Sequence, residues 1–183
     1  MVLVVTSNSQ KFEQIKEVLQ SVGISTDHYE MKMKEHGDSI EEIVKEKAKQ
    51  AFEKLEEPLI VDDEGTFFRE FKEFPGTHSK RIYEAIGYEG IFRLLEGKNR
   101  DAVMRTIICY TDGSRYEMFE GRVIGRITNM VYSGAIELPY ARIFIPDGYV
   151  EVMSMMDNKK IREISHRAIA VRKFANWFKE IKK

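Results

Sequence analysis

A single α/β domain over residues 1–183, with a mixed central sheet flanked by helices, is what the sequence predicts, and three observations predict it. Short apolar runs rich in β-branched residues, Val2 to Val5 and Leu59 to Val61, have the character of buried strands. Stretches with apolar residues at helical spacing alternate with them. Two long strand-like runs then meet at Asp112-Gly113, a strong hairpin signal between β-rich segments.

In chain order, Val2 to Val5 gives way at the polar turn Thr6-Ser7-Asn8 to a helix. Its Phe12, Ile15, Val18 and Leu19 share a face, and Gly23 is its stop signal. Asp38-Ser39 and the following Ile40-Glu41-Glu42 supply an N-cap and an acidic first turn. Ile40, Ile43, Val44, Ala48, Ala51, Phe52 and Leu55 mark a long amphipathic helix ending near Pro58. Leu59-Ile60-Val61 is a second short buried strand, and it runs into Asp62-Asp63-Glu64-Gly65. After Pro75-Gly76 a helical stretch extends from about Ser79 to Leu95, interrupted near Gly87 and closed at Gly97. The paired runs are Ala102 to Thr111 and Tyr116 to Thr128, and Ala141 to Ile145 adds a strand ended by Pro146-Asp147-Gly148. Ser165 to Ile181, with Ile169, Val171, Phe174, Trp177 and Phe178, is an amphipathic helix capped by Ser165.

Composition narrows the functional classes. Lys+Arg total 29 and Asp+Glu 30, a formal net charge of -1, so no global electrostatic pull draws the chain to nucleic acid or an anionic membrane. Neither is expected as a partner. The single cysteine, Cys109, excludes an intrachain disulfide framework and a Cys-rich zinc site, and its apolar setting predicts a buried thiol. No apolar stretch approaches the ~18 residues of a membrane span. The opening Met1 to Val5 lacks the basic flank of a signal peptide, and the expected compartment is the cytosol.

Three constellations could carry chemistry. Thr6-Ser7-Asn8-Ser9-Gln10-Lys11 is a strand-to-helix turn of small polar residues with a lysine one turn in, a suitable place for an anion. Taken alone it reads sooner as a capped helix with a solvated lysine, because caps are common and the Gly-rich Walker pattern is absent. Asp62-Asp63-Glu64 sits at the expected carboxyl end of a buried strand, where ligands collect in open α/β sheets. Such crowding calls for a compensating cation, and hard oxygen ligands favour Mg²⁺ or Mn²⁺. Glu41 or Glu42 could turn inward to complete a metal site, or simply stabilise the helix dipole. Ser165-His166-Arg167 sets an imidazole and a guanidinium beside a helix start, suited to phosphate or a polar base edge. Together these parts would serve hydrolysis of a nucleotide phosphoanhydride, chemistry that rests on positioning and electrostatics and needs no Ser or Cys nucleophile.

At this point the chain resembles the inosine triphosphate pyrophosphatases, which remove non-standard purine nucleoside triphosphates. The matching pieces are Thr6-Ser7-Asn8 with Lys11, Glu42 before Lys47-Ala48, Val61-Asp62-Asp63-Glu64-Gly65, and Pro75-Gly76 with Ser79 and Arg81. Gly121, Gly125 and Ser165-His166-Arg167 complete the ordered set. The resemblance implies an elongated mixed sheet, two lobes with an active-site cleft between them, a homodimer, and Mg²⁺-dependent hydrolysis of a nucleoside triphosphate to the monophosphate and pyrophosphate. It assigns Glu42 and Asp63 to the metal and Asp63 and Asp62 to catalysis, Asp63 as acceptor of the water's proton. It assigns Thr6, Ser7, Asn8, Lys11, Glu64, Tyr140, Lys160, His166 and Arg167 to substrate binding.

The chain also departs from that pattern. The family's Gly-Phe-Gly-Tyr/Trp-Asp-Pro-x-Phe signature corresponds to Glu137 through Phe144, with Leu138 in place of the stacking aromatic and Ala141 in place of the acid near the base. A lost stack removes on the order of 1–3 kcal/mol of base binding. The preference for inosine and xanthosine triphosphates is therefore expected to be weaker than usual or to be achieved by other residues. Lys160 is the nearest counterpart of a lysine usually found shortly before Ser-His-Arg. A nucleotide-binding sensor without turnover, or a pyrophosphatase of modified pyrimidine triphosphates, are the alternative readings.

Overall fold

A computed structural model describes residues 1–134 and 138–181, so Glu137 of the expected base-side segment lies outside the described residues. The elements are β1 (Val2–Val5), α1 (Ser9–Ser21), β2 (Thr26–Tyr29), α2 (Ile40–Leu55), β3 (Leu59–Phe68), β4 (Pro75–Gly76) and α3 (Ser79–Leu94). There follow β5 (Asp101–Thr111), β6 (Tyr116–Ile127), β7 (Phe144–Pro146), α4 (Asn158–Ile164) and α5 (His166–Ile181). They build the mixed α/β architecture the sequence predicts: a sheet of order β2-β1-β3-β5-β6-β7, with β4 beside β3. β1 runs parallel to β2 and β3, whereas β4 and β7 pair antiparallel with β3 and β6.

The chain divides into two compact units. One comprises Met1–Asp63, Thr106–Gly121 and Ser165–Lys183; the other comprises Glu64–Arg105 and Arg122–Ile164. In the first, strand alternation sorts the core into two sets. Val2, Val4, Ile60, Ile108 and Tyr110 pack with Ile15 and Leu19 of α1 and Val171 and Phe174 of α5. Val5, Leu59, Val61, Ile107 and Cys109 pack with Ile40, Val44, Ala48 and Ala51 of α2. Each strand thus carries two apolar faces, which is why its sequence reads as a continuous apolar run. Cys109 is fully buried, as expected.

In the second unit, α3 keeps its predicted interruption: Gly87 adopts φ 62 and ψ -172 inside the helix, a conformation open to glycine. Two expectations are corrected. Asp62, Asp63 and Glu64 do not follow a short strand; they lie within β3, which continues to Phe68. Ala141 to Ile145 is not one strand. Pro139–Arg142 forms a single 3₁₀ turn and only Phe144–Pro146 is β7. The turn closes because Ala141 N donates to Leu138 O and Ile143 N to Tyr140 O, both i→i+3 bonds. Besides the two-residue β4, two elements had no clear sequence signal. β2 is a half-exposed edge strand, Thr-Asp-His-Tyr, without apolar alternation, and α4 is only 7 residues long. Among the described residues no helix is long and apolar enough to cross a membrane.

Candidate active site

The site is built where β1 ends and α1 begins. Asn8 caps α1, its side-chain oxygen accepting from the backbone N–H groups of Gln10 and Lys11 at 3.0 and 3.2 Å. Thr6 is buried, and its hydroxyl accepts from Asn8 N at 3.2 Å. Ser7 through Gln10 are exposed, which leaves the helix N-terminus open to a ligand. Lys11 is no solvated lysine. Its side chain is 15% exposed and its Nζ lies 3.2 Å from Oδ2 of Asp62.

β3 presents its two aspartates to opposite sides of the sheet. Ile60 belongs to the core shared with α1 and α5, while Leu59 and Val61 belong to the core shared with α2. Alternation therefore sends Asp62 toward α1 and α5, and Asp63 toward α2. On the first side Arg167 brings its Nε to 3.6 Å from the same Asp62 oxygen and donates from a terminal guanidinium nitrogen to Gln14 of α1. Asp62 thus faces two cations from two helices. The start of α5 is fixed in three ways. Ser165 Oγ accepts from Ala168 N at 3.2 Å, the Thr106 hydroxyl hydrogen-bonds Nδ1 of His166, and Gly121 of β6 lets the helix backbone approach. Any side chain at Gly121 would overlap the His166 carbonyl. His166 and Arg167 are both buried.

On the second side a single ammonium joins two carboxylates. Lys47 of α2 donates to Asp63 Oδ1 and to Glu35 Oε1, each at 2.7 Å. Burial by itself would depress the Lys47 pKa; the Asp63 charge and the hydrogen bonds the ammonium donates to both carboxylates carry it above 10.5. For Asp63, burial pushes the carboxyl above its usual 3.8 against the opposing pull of Lys47 and Lys11. The contact geometry decides between these opposed tendencies. An ammonium 2.7 Å from two carboxylate oxygens is charged, so the pair is ionised near neutrality. Asp63 Oδ2 is buried and has no hydrogen-bond partner.

The remaining expected residues are placed elsewhere. Glu42 is exposed, three residues past the Ser39 N-cap, and its Oε2 accepts from Asp38 N at 2.8 Å. Its carboxylate thus serves the helix start in the manner of a capping box. Glu64 is half-buried in β3 of the second unit. Also there, Tyr140 is buried with its hydroxyl donating to Ser79 O at 3.1 Å, and burial pushes its phenol well above the ordinary value of 10.0. Lys160 pairs with Glu151 at 3.0 Å.

A carboxylate pair on β3, cations drawn to it from α1, α2 and α5, and an open helix N-terminus make an arrangement able to hold an anion. Residues 2–177 match the family model of the Ham1 family. The chain belongs to the Ham1 family. It is 36% identical over 178 residues to a dITP/XTP pyrophosphatase of Thermococcus kodakarensis, covering 96% of each chain. It is 31% identical over 181 residues to an inosine triphosphate pyrophosphatase of Aspergillus fumigatus, covering 96% of this chain and 93% of the relative. A HAM1 protein from Coxiella burnetii has the same fold, with a TM-score of 0.85 at 21% identity over 98% of this chain and 100% of the other.

Around these candidate residues, Lys47, Glu35, Gln14 and Thr106 are partners to which the sequence alone gives no role. Lys47 left a signal: it falls on the apolar face of α2 with Val44, Ala48 and Ala51, and a lysine there must find a charge partner. Glu35 left none, since it is one of several exposed polar residues before α2.

Proposed function

We propose that the chain hydrolyses non-standard purine nucleoside triphosphates, dITP, ITP and XTP, to the monophosphate and pyrophosphate. The observation that carries this reading is the split of Asp62 and Asp63 on β3, one facing Lys11 and Arg167, the other Lys47 and Glu35, in a chain of the Ham1 family. Lys11, Arg167 and the open α1 terminus bind the triphosphate; Asp63 accepts the proton of the attacking water. That water forms the new bond to the α-phosphorus as the bond to the departing pyrophosphate breaks, and the cations hold the charge that gathers on the leaving group.

The residues fit a divalent cation, with one change from the expected set. Among the described residues no three His, Cys, Asp or Glu side chains cluster closely enough to form a protein-only cage. Mg²⁺ seldom uses one; one or two carboxylates, waters and substrate phosphates are its usual shell. Asp63 offers a buried oxygen without a hydrogen-bond partner, and Glu35 converges on the same ammonium, whereas Glu42 is engaged at the α2 start. We assign Asp63 and Glu35 to Mg²⁺, with Mn²⁺ as substitute. When bound, the cation would neutralise phosphate charge. The resemblance to the pyrophosphatases supports a homodimer acting in the cytosol. Leu138 and Ala141 support a modest margin between dITP and dGTP, below about a hundredfold, the range an apolar pocket provides.

The test is pyrophosphate release from dITP, XTP, dGTP, dATP and dUTP, with and without Mg²⁺. Turnover is expected to require the metal and to be fastest with dITP or XTP. No release from any triphosphate in Mg²⁺ or Mn²⁺ would sink the enzyme reading, and a preference for dUTP would move the substrate class to pyrimidines.

A further inference from the structure

His28 of β2 lies outside every constellation above, yet its side chain reaches the turn between β1 and α1. It pairs with Val4 in the β1–β2 register, and its Nε2 stands 2.9 Å from the Thr6 carbonyl oxygen. A carbonyl only accepts, so Nε2 carries a proton and donates. The same ring stacks on Phe12 with centroids 4.1 Å apart and planes 11° from parallel. Thr6 precedes the turn and Phe12 closes the first turn of α1. One imidazole therefore grips both ends of the segment that carries Ser7, Asn8 and Lys11. The main chain secures the upstream end as well, Thr6 N donating to Tyr29 O at 3.2 Å.

We propose that His28 is a positioning residue for triphosphate binding. It locks the turn and the first turn of α1 in the geometry that the phosphates meet. The proposal rests on the pyrophosphatase reading. Ser7 through Gln10 are exposed and have little packing of their own, so a turn held in advance spares ordering cost when the anion binds. The tether is independent of charge, because the Nε2–H exists in one neutral tautomer and in the imidazolium alike. Loss of the clamp should therefore act on KM rather than on kcat.

The experiment compares wild type with His28→Phe, which keeps a ring for Phe12 but removes the donor, and His28→Gln, whose amide can still reach the carbonyl. Three readouts are taken: dITP kinetics with Mg²⁺, calorimetric binding of inorganic tripolyphosphate, and thermal midpoint. H28F is expected to raise KM and the tripolyphosphate Kd together by about five- to tenfold, the scale of one hydrogen bond, with kcat within about twofold. H28Q is expected to recover most of that loss. The proposal is overturned if both variants bind tripolyphosphate like wild type, if H28Q fails to rescue, or if only the thermal midpoint falls. Wild type that binds tripolyphosphate but hydrolyses no nucleotide refutes the pyrophosphatase reading, while the Kd comparison still judges the clamp. Wild type that binds neither overturns both.

Discussion

Asp62 and Asp63 are adjacent, chemically identical and equally buried at 5% exposure, but the pleat of β3 gives them different partners. Asp62 meets Lys11 and Arg167, cations from two helices on its side of the sheet. Among the described residues Asp63 meets one cation only at ion-pair distance, Lys47, and shares it with Glu35. The first environment suits a strut that holds phosphate-binding cations in place. The second suits a group that accepts a proton or a metal. In the proposed mechanism two identical side chains take two tasks from their surroundings, as environment routinely divides paired acids.

The sharpest way to break this comparison is to neutralise each acid in turn. Asp63→Asn is expected to lower kcat on dITP by about a thousandfold, the middle of the range a positioned base contributes, with the fold intact. Asp62→Asn is expected to raise KM and to destabilise the fold by about 3 kcal/mol, because Arg167 is left buried beside a neutral group. Equal losses of kcat from both variants, measured with chemical denaturation alongside, would erase the division.

A second comparison sets Glu35 against Glu42. Glu35→Gln is expected to cut activity by at least about tenfold and to raise the Mg²⁺ concentration needed for half-maximal rate, as loss of a metal-site carboxylate does. Glu42→Gln is expected to leave the Mg²⁺ requirement unchanged and to cost only a few tenths of a kcal/mol at the α2 start. A metal titration that shifts for E42Q and not for E35Q would return the metal to the expected glutamate.

A last test reads the Lys47 bridge through pH. Its folded pKa is raised above 10.5, so its stabilisation is fully present below pH 10.5 and is lost as pH rises through the folded value. Lys47→Met should lower the thermal midpoint near neutrality, and its gap from wild type should narrow above pH 10.5. A gap that stays constant into strong alkali would show that the lysine contributes packing, not charge.

Much of this architecture was legible because local pattern and global fold agree. The apolar runs, the helical faces, Asp112-Gly113, the interruption at Gly87 and the Ser165 cap all specify their structure from nearby residues. Failures fell where local pattern is silent. The polar edge strand β2 forms because β1 offers it a partner, and β3 continues past three acids because β4 and neighbouring strands pair with it. At the site, Lys11, Asp62, Asp63, His166 and Arg167 were visible as motif residues. The roles of Lys47 and Glu35 are not legible there, since nothing in the spacing of Glu35 or Glu42 says which one turns inward.

The sequence alone determined the α/β class, the succession of its main helices and strands, and the family, since periodicity, caps and ordered motifs are properties of the linear chain. Tertiary structure decided which charges meet. The alternation of β3 turns two neighbouring aspartates to opposite faces of the strand, and chain folding brings Lys47, Glu35 and Arg167 to them from α2, the segment before it and α5. Electrostatic partnership depends on distances of a few ångströms through space, and separation along the chain carries no such information.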